Sequence, residues 1–132
     1  MKRLLLVALV TLLPGCALYD AYMMTPYDSN EYKLAVEIRT DAHKYRSQCD
    51  DAELSKKNAQ AIADKTQLFE FYSEHIPRNN NGASASRNLN EIAQGLLKRY
   101  NSGDKVSTTF CRLKFEGIEI GAVTLQLSLI HI

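Results

Sequence analysis

Three cysteines, three histidines and one run of carboxylates are the residues of this chain that could do chemistry. Cys16, Cys49 and Cys111 could serve as thiolate nucleophiles, bind a metal or be joined to another group. Zinc needs four ligands at short, recognisable spacings, and His43, His75 and His131 stand too far from one another and from the cysteines to supply them. Asp50-Asp51-Ala52-Glu53 gathers negative charge, but it has neither the alternating ligands nor the glycine of a calcium loop. It reads instead as charge that suits a helix N-terminus. Glu70, Glu74 and His75 fall about one helical turn apart without a matching motif elsewhere, and Arg78, Arg87, Lys98 and Arg99 are scattered and read as solvated. A glycine-rich phosphate loop, a serine nucleophile elbow and a zinc-ligand helix motif are all missing from the sequence. No catalytic residue, metal or cofactor is therefore assigned, and the chain reads as a non-enzyme.

Cys16 has a context that the other two cysteines lack. Met1-Lys2-Arg3 is a short cationic start, residues 4–13 are an apolar run, and Leu13-Pro14-Gly15-Cys16 closes it. A membrane-spanning helix needs about 20 apolar residues, so this run is too short to be one and reads as a secretory signal over residues 1–15. Leu13-Pro14-Gly15-Cys16 resembles the lipobox of bacterial lipoproteins. Leu13, Gly15 and Cys16 match that pattern, while Pro14 stands where a small residue is usual. The resemblance implies that Cys16 becomes the first residue of the mature chain, with a diacylglyceryl thioether and an acylated amino group. More than one acyl chain makes such anchoring stable without a spanning segment. Ala17 takes the place where an aspartate commonly marks inner-membrane retention, which implies the periplasmic face of the outer membrane in a Gram-negative cell.

With Cys16 assigned to lipid by that resemblance, Cys49 and Cys111 remain as an even pair in an oxidising compartment. They read as a disulfide, the alternative being two free thiols. A bridge between them would close a loop of roughly 60 residues and stabilise by roughly 4 kcal/mol through loop-closure entropy. Processing also removes Lys2 and Arg3, two of the 16 basic side chains, against 15 acidic ones. The mature charge is then close to zero, which leaves no electrostatic footprint for nucleic acid.

The elements that must position these cysteines read as helices. Residues 16–27 form a tether rich in Tyr19, Tyr22, Met23, Met24 and Tyr27, either lying at lipid headgroup level or packing on the domain. The domain itself covers residues 28–126. Asp28-Ser29-Asn30-Glu31 resembles a capping box, followed by an apolar stripe of Leu34, Ile38, Ala42, Tyr45, Cys49 and Ala52. No glycine or proline interrupts residues 28–76. A single helix of that length would reach about 70 Å, too long for this domain, so a break is expected at Cys49-Asp50-Asp51, with an aspartate capping the second helix. Ala61, Ile62, Leu68, Phe69 and Tyr72 then give that helix its buried face. Residues 77–83 read as a loop, Ser84 or Ser86 as the next cap, and Leu89, Ile92, Ala93, Leu96, Leu97 and Tyr100 as the third inner face. Gly103 suits a left-handed stop.

Residues 105–126 are readable in two ways. Cys111, Phe115, Ile118, Ala122 and Leu125 make a helical stripe that Ser107 could cap, whereas Leu113/Phe115, Ile118/Ile120 and Val123/Leu125 alternate as strands do. Helix is favoured, with Gly117 and Gly121 allowing a neighbour to approach closely despite a cost of about 1 kcal/mol each. Residues 127–132 resemble the translation of the mosaic-end adapter of transposase-made sequencing libraries, so they carry no functional weight and the last element is read as incomplete. Their apolar side chains are expected to have little to pack on. The expected fold is thus all-α, a small up-down four-helix bundle stapled by the cysteine pair, with a last element that is possible as a hairpin.

At the level of signal, helix count and cysteine placement, the chain resembles the small disulfide-stapled lipoproteins that act as pilotins for secretin subunits. Exclusion lipoproteins of phages and plasmids belong to the same class. The resemblance implies a membrane-held adaptor with a periplasmic protein partner. If a partner helix docks in a groove, Phe69, Tyr72, Phe110 and Phe115 are the candidate liners, with core packing as the other fate of each. An envelope enzyme whose catalytic residues lie beyond residue 126, and a purely structural envelope lipoprotein, are the alternatives.

Overall fold

Asp28 opens the first helix: its Oδ1 accepts from the backbone N–H groups of Asn30 at 2.9 Å and Glu31 at 2.8 Å, satisfying two donors that a helix start leaves orphaned. The structure, a computed structural model, describes Leu18, Tyr19, Tyr22, Met23 and residues 26–130; residues 1–15, read above as a signal, Cys16 and His131-Ile132 lie outside the described residues. Helix α1 runs Ser29–Arg46. After a short turn Asp51 caps α2, Ala52–Glu74, its Oδ1 accepting from Leu54 N at 3.0 Å. The break falls at Cys49-Asp50-Asp51, as the sequence predicts. Helices α3, Asn80–Asn101, and α4, Thr108–Ile130, complete the fold, with no strand among the described residues.

Cross-helix pairs fix the topology. Tyr72 at the end of α2 meets Asp28 at the start of α1, Arg87 of α3 meets Glu74 of α2, and Arg46 of α1 meets Glu119 of α4. Each helix therefore runs antiparallel to its neighbours, α1 packing chiefly on α4 and α2 on α3. This is the up-down four-helix bundle expected. Cys49, just past α1, and Cys111, in the first turn of α4, are bonded with Cα atoms 5.9 Å apart. Cys111, Phe115, Ile118, Ala122 and Leu125 are the buried set of α4, which settles the last segment as helix rather than hairpin. Ser107 Oγ accepts from Phe110 N at 3.1 Å, and Gly103, just past the end of α3, takes a φ of 81°.

Several local expectations are corrected. Ala52, Ala61 and Leu68 are exposed, because α2 instead buries Ser55, Asn58, Ala59, Ile62, Ala63, Thr66, Phe69 and Ser73. Neither Ser84 nor Ser86 caps α3, which starts inside the expected loop at Asn80; Ser86 is buried and its hydroxyl donates to Ala83 O at 2.9 Å. The capping box is half formed, since Glu31 does not return a hydrogen bond to Asp28 but is fully buried with Asn79 as its donor. Gly121 does permit a close approach, a Cβ there falling 2.6 Å from Leu89 Cδ2, whereas Gly117 faces open space. The tail continues α4 to Ile130: Leu127 and Ile130 are exposed, but Leu129 packs against the core.

Three titratable groups couple this packing to pH. Burial pushes the Tyr45 hydroxyl above its ordinary 10.0, with the Asp41 charge adding to it and Lys65 opposing. Burial does the same for Tyr100, against a hydrogen bond with Ser55. Lys65 is pulled down by burial but held above 10.5 by its hydrogen bond to Asp41 and the charges of Asp41 and Glu37. In all three the folded state keeps its proton longer than the unfolded one, so the contribution to stability is full below these ordinary values and is lost as pH rises from them through the raised folded-state values. Urea midpoints between about pH 8 and pH 11 should be level at first and then fall, and Tyr45→Phe with Tyr100→Phe should flatten the fall. An unchanged decline in the double variant would assign it to other groups.

Candidate functional site

The cysteines predicted to pair are joined, and the remaining candidate side chains are separated by the fold. Phe69 and Phe115 are fully buried, Phe115 meeting the Tyr45 ring edge-on at 5.7 Å between centroids. They are core residues and line no surface. Tyr72 is half-buried, its hydroxyl donating to Asp28 Oδ1 at 3.0 Å. Phe110 is half-buried at the disulfide end, with the Arg99 guanidinium 5.8 Å and the Lys114 ammonium 5.3 Å from its ring centroid. Lipidation of Cys16 lies outside the described residues.

The polar candidates are absorbed by helix pairing. His43 Nδ1 lies 2.9 Å from Glu119 Oε1, and Arg46 Nη1 lies 3.2 Å from Glu119 Oε2, which has an ion-pair partner there but no well-oriented hydrogen bond. Glu70 and Glu74 both face Arg87, so Arg87 is an ion-pair partner rather than a free solvated cation. Those carboxylates and the hydrogen bond to Glu74 first of all raise the Arg87 guanidinium further. His75 Nδ1 lies 2.7 Å from Phe71 O. Among the described residues no group of three or more His, Cys, Asp or Glu could hold a metal ion.

Among the described residues the bundle presents two apolar surfaces. At the end where the tether enters, Pro26, Tyr27, Leu68, Phe71, Tyr72, Ile76 and Pro77 line a groove of about 590 Å³. Leu68 is 57% and Phe71 55% exposed. The second surface is the outward face of α4, where Leu113 is 61% and Ile120 58% exposed. Leu113, Gly117, Ile120 and Thr124 recur at steps of four, three and four. This stripe lies opposite the buried one on a 3.6-residue repeat. The strand-like alternation in this segment is what a helix with two apolar faces looks like in sequence.

No family model, curated protein or solved structure gives a significant match to the chain. The outer stripe left a mark in the spacing, because Leu113 and Ile120 are seven apart. The exposure of Leu68 and Phe71 had no such signal, since apolar residues in a helical pattern read as core. Among the described residues no helix is long and apolar enough to cross a membrane.

Proposed function

We propose that this chain is a lipid-anchored, non-enzymatic adaptor of the bacterial envelope, held by acylated Cys16 at the periplasmic face of the outer membrane, whose α4 takes a partner helix on its outward face. The observation that carries the reading is the second stripe of α4. Four-helix bundles bury one face of each helix, and a helix that is apolar on two opposite faces has one left for a partner. Steps of three and four are those by which one helix docks along another, and Gly117, with open space where a Cβ would stand, leaves room for a close crossing. Phe110 sits at the start of this face, the one residue of the four sequence candidates that belongs to it. The lipobox resemblance supports the anchor.

A photo-crosslinking residue at Ile120, introduced in intact cells, should give one dominant product, and the same residue at exposed Lys56 on α2 should give none. Ile120→Glu should weaken capture by roughly tenfold or more, as for a central apolar contact. Cys16→Ser should release the protein from the membrane fraction. A smear of minor products from Ile120, or one equal to that from Lys56, would remove the adaptor reading; retention of the Cys16→Ser protein would remove the anchor.

A further inference from the structure

We propose that the groove at the tether end docks on the lipid bilayer itself, so that Leu68, Phe71, Tyr27 and Ile76 sit in the headgroup region and set the bundle upright with its disulfide end pointing away. This rests on the anchor reading above and concerns a surface different from the α4 face. The chain re-enters the described structure at Pro26 and Tyr27, which themselves form one wall of the groove. An extended residue spans at most about 3.5 Å, so the groove can stand no more than about 35 Å from an acylated Cys16. That tether makes meeting the membrane an intramolecular event, for which a weak apolar contact is enough.

The chemistry of the wall fits a lipid interface. Aromatic and aliphatic side chains dominate it, and Tyr19, Tyr22 and Met23 of the tether are exposed as well; aromatic rings with one polar edge concentrate at the water–lipid boundary. Among the described residues, Asp28 is the only carboxylate lining the groove. Its oxygens are occupied by the α1 backbone and by Tyr72, with Oδ2 3.2 Å from the tyrosine hydroxyl. His75 has its Nδ1 against Phe71 O. Among the described residues the lining holds no unpaired carboxylate, lysine or arginine, and Arg78 beside it has its guanidinium 4.9 Å over the Tyr22 ring, so seating should be driven by apolar burial and should depend little on salt or on anionic lipid.

The chain contains no tryptophan, so one introduced tryptophan reports alone. The acylated full-length protein, purified from cells, is reconstituted on phosphatidylcholine vesicles with and without phosphatidylglycerol, using brominated acyl chains as quencher. Phe71→Trp, and Leu68→Trp as a second reporter, should shift to shorter emission wavelength and be quenched roughly twofold, as for a ring at the headgroup and acyl boundary. Leu113→Trp, at the disulfide end, should not respond, and raised salt should change neither result. Vesicle-bound, acylated protein with both groove reporters unshifted would overturn the docking and leave the anchor standing. A response confined to anionic lipid at low salt would also overturn it, as would shielding seen in cell envelopes but not on pure vesicles, which points to a protein occupant. Protein without the acyl mass that fails to float with vesicles would overturn the anchor and the docking together.

Discussion

Replacing both bridging cysteines, Cys49→Ala with Cys111→Ala, should cost about 4 kcal/mol of unfolding free energy, a large fraction of the 5–15 kcal/mol typical of a domain. The bridge joins residues 62 apart and so closes a loop holding all of α2 and α3. In the unfolded chain that closure removes conformations which the open chain would keep. In the folded chain it ties the end of α1 to the start of α4, where Tyr45 also packs on Phe115 and the polar ties among the described residues include Arg46 with Glu119 and Glu116, His43 with Glu119 and Arg112 with Asp50. Those pairs are wholly or partly exposed, and exposed ion pairs contribute at most about 1 kcal/mol each, so they cannot replace the bridge. Alanine avoids placing a hydroxyl at two buried positions. Urea unfolding of the double variant and of the wild type under reductant should agree, both falling well below the oxidised protein. A loss under about 1 kcal/mol in both would mean that the reduced unfolded chain is already restricted.

The cysteine staple, the break before α2 and the buried face of α4 were legible because each leaves a strong local mark. Asp51 is a cap residue, Gly103 a left-handed stop, and Cys111, Phe115, Ile118, Ala122 and Leu125 recur at steps of four, three, four and three. Helix α2 was harder. It is covered on two sides, and its fully buried positions include Ser55, Thr66 and Ser73, small residues of which two place their hydroxyls on nearby carbonyls, Ser55 on Gln48 O at 3.1 Å and Thr66 on Ile62 O at 2.9 Å. Hydrophobicity alone therefore put Ala61 and Leu68 inside and overlooked those three. The same bias hid the groove, since an exposed leucine and phenylalanine in a helical pattern look like core until a neighbour fails to cover them.

The start of α3 failed for a related reason. Asn79 precedes the helix but makes no side-chain cap; its Nδ2 turns inward to donate to Glu31 Oε1 at 2.6 Å and to Ser73 O at 3.3 Å. Gly82 is required there, because a Cβ would overlap the Asn79 carboxamide. A contact across 48 residues thus sets where α3 begins, and local cap preferences could not disclose it.

That contact makes Asn79→Ala the second large effect expected. Glu31 is fully buried, its Oε2 has no hydrogen-bond partner, and the Asn79 amide is the side-chain donor that Oε1 has. Removing the amide strands a carboxyl group where water does not reach, and the cost is the desolvation that the hydrogen bond had offset, about 3 kcal/mol. For a domain of this size that lowers Tm by roughly 15 °C. Two companions separate this cause from simple loss of packing. Gly82→Ala should reproduce much of the loss by pushing the amide aside, although it deletes nothing. Combining Glu31→Met with Asn79→Ala should recover most of it, since no stranded polar oxygen is left on Glu31's side. Equal stability of Asn79→Ala and the wild type would show that water enters and takes over the donor role. A double variant no better than Asn79→Ala alone would place the cost in the lost bond to Ser73 O, and the buried carboxyl would then not be what fixes the beginning of α3.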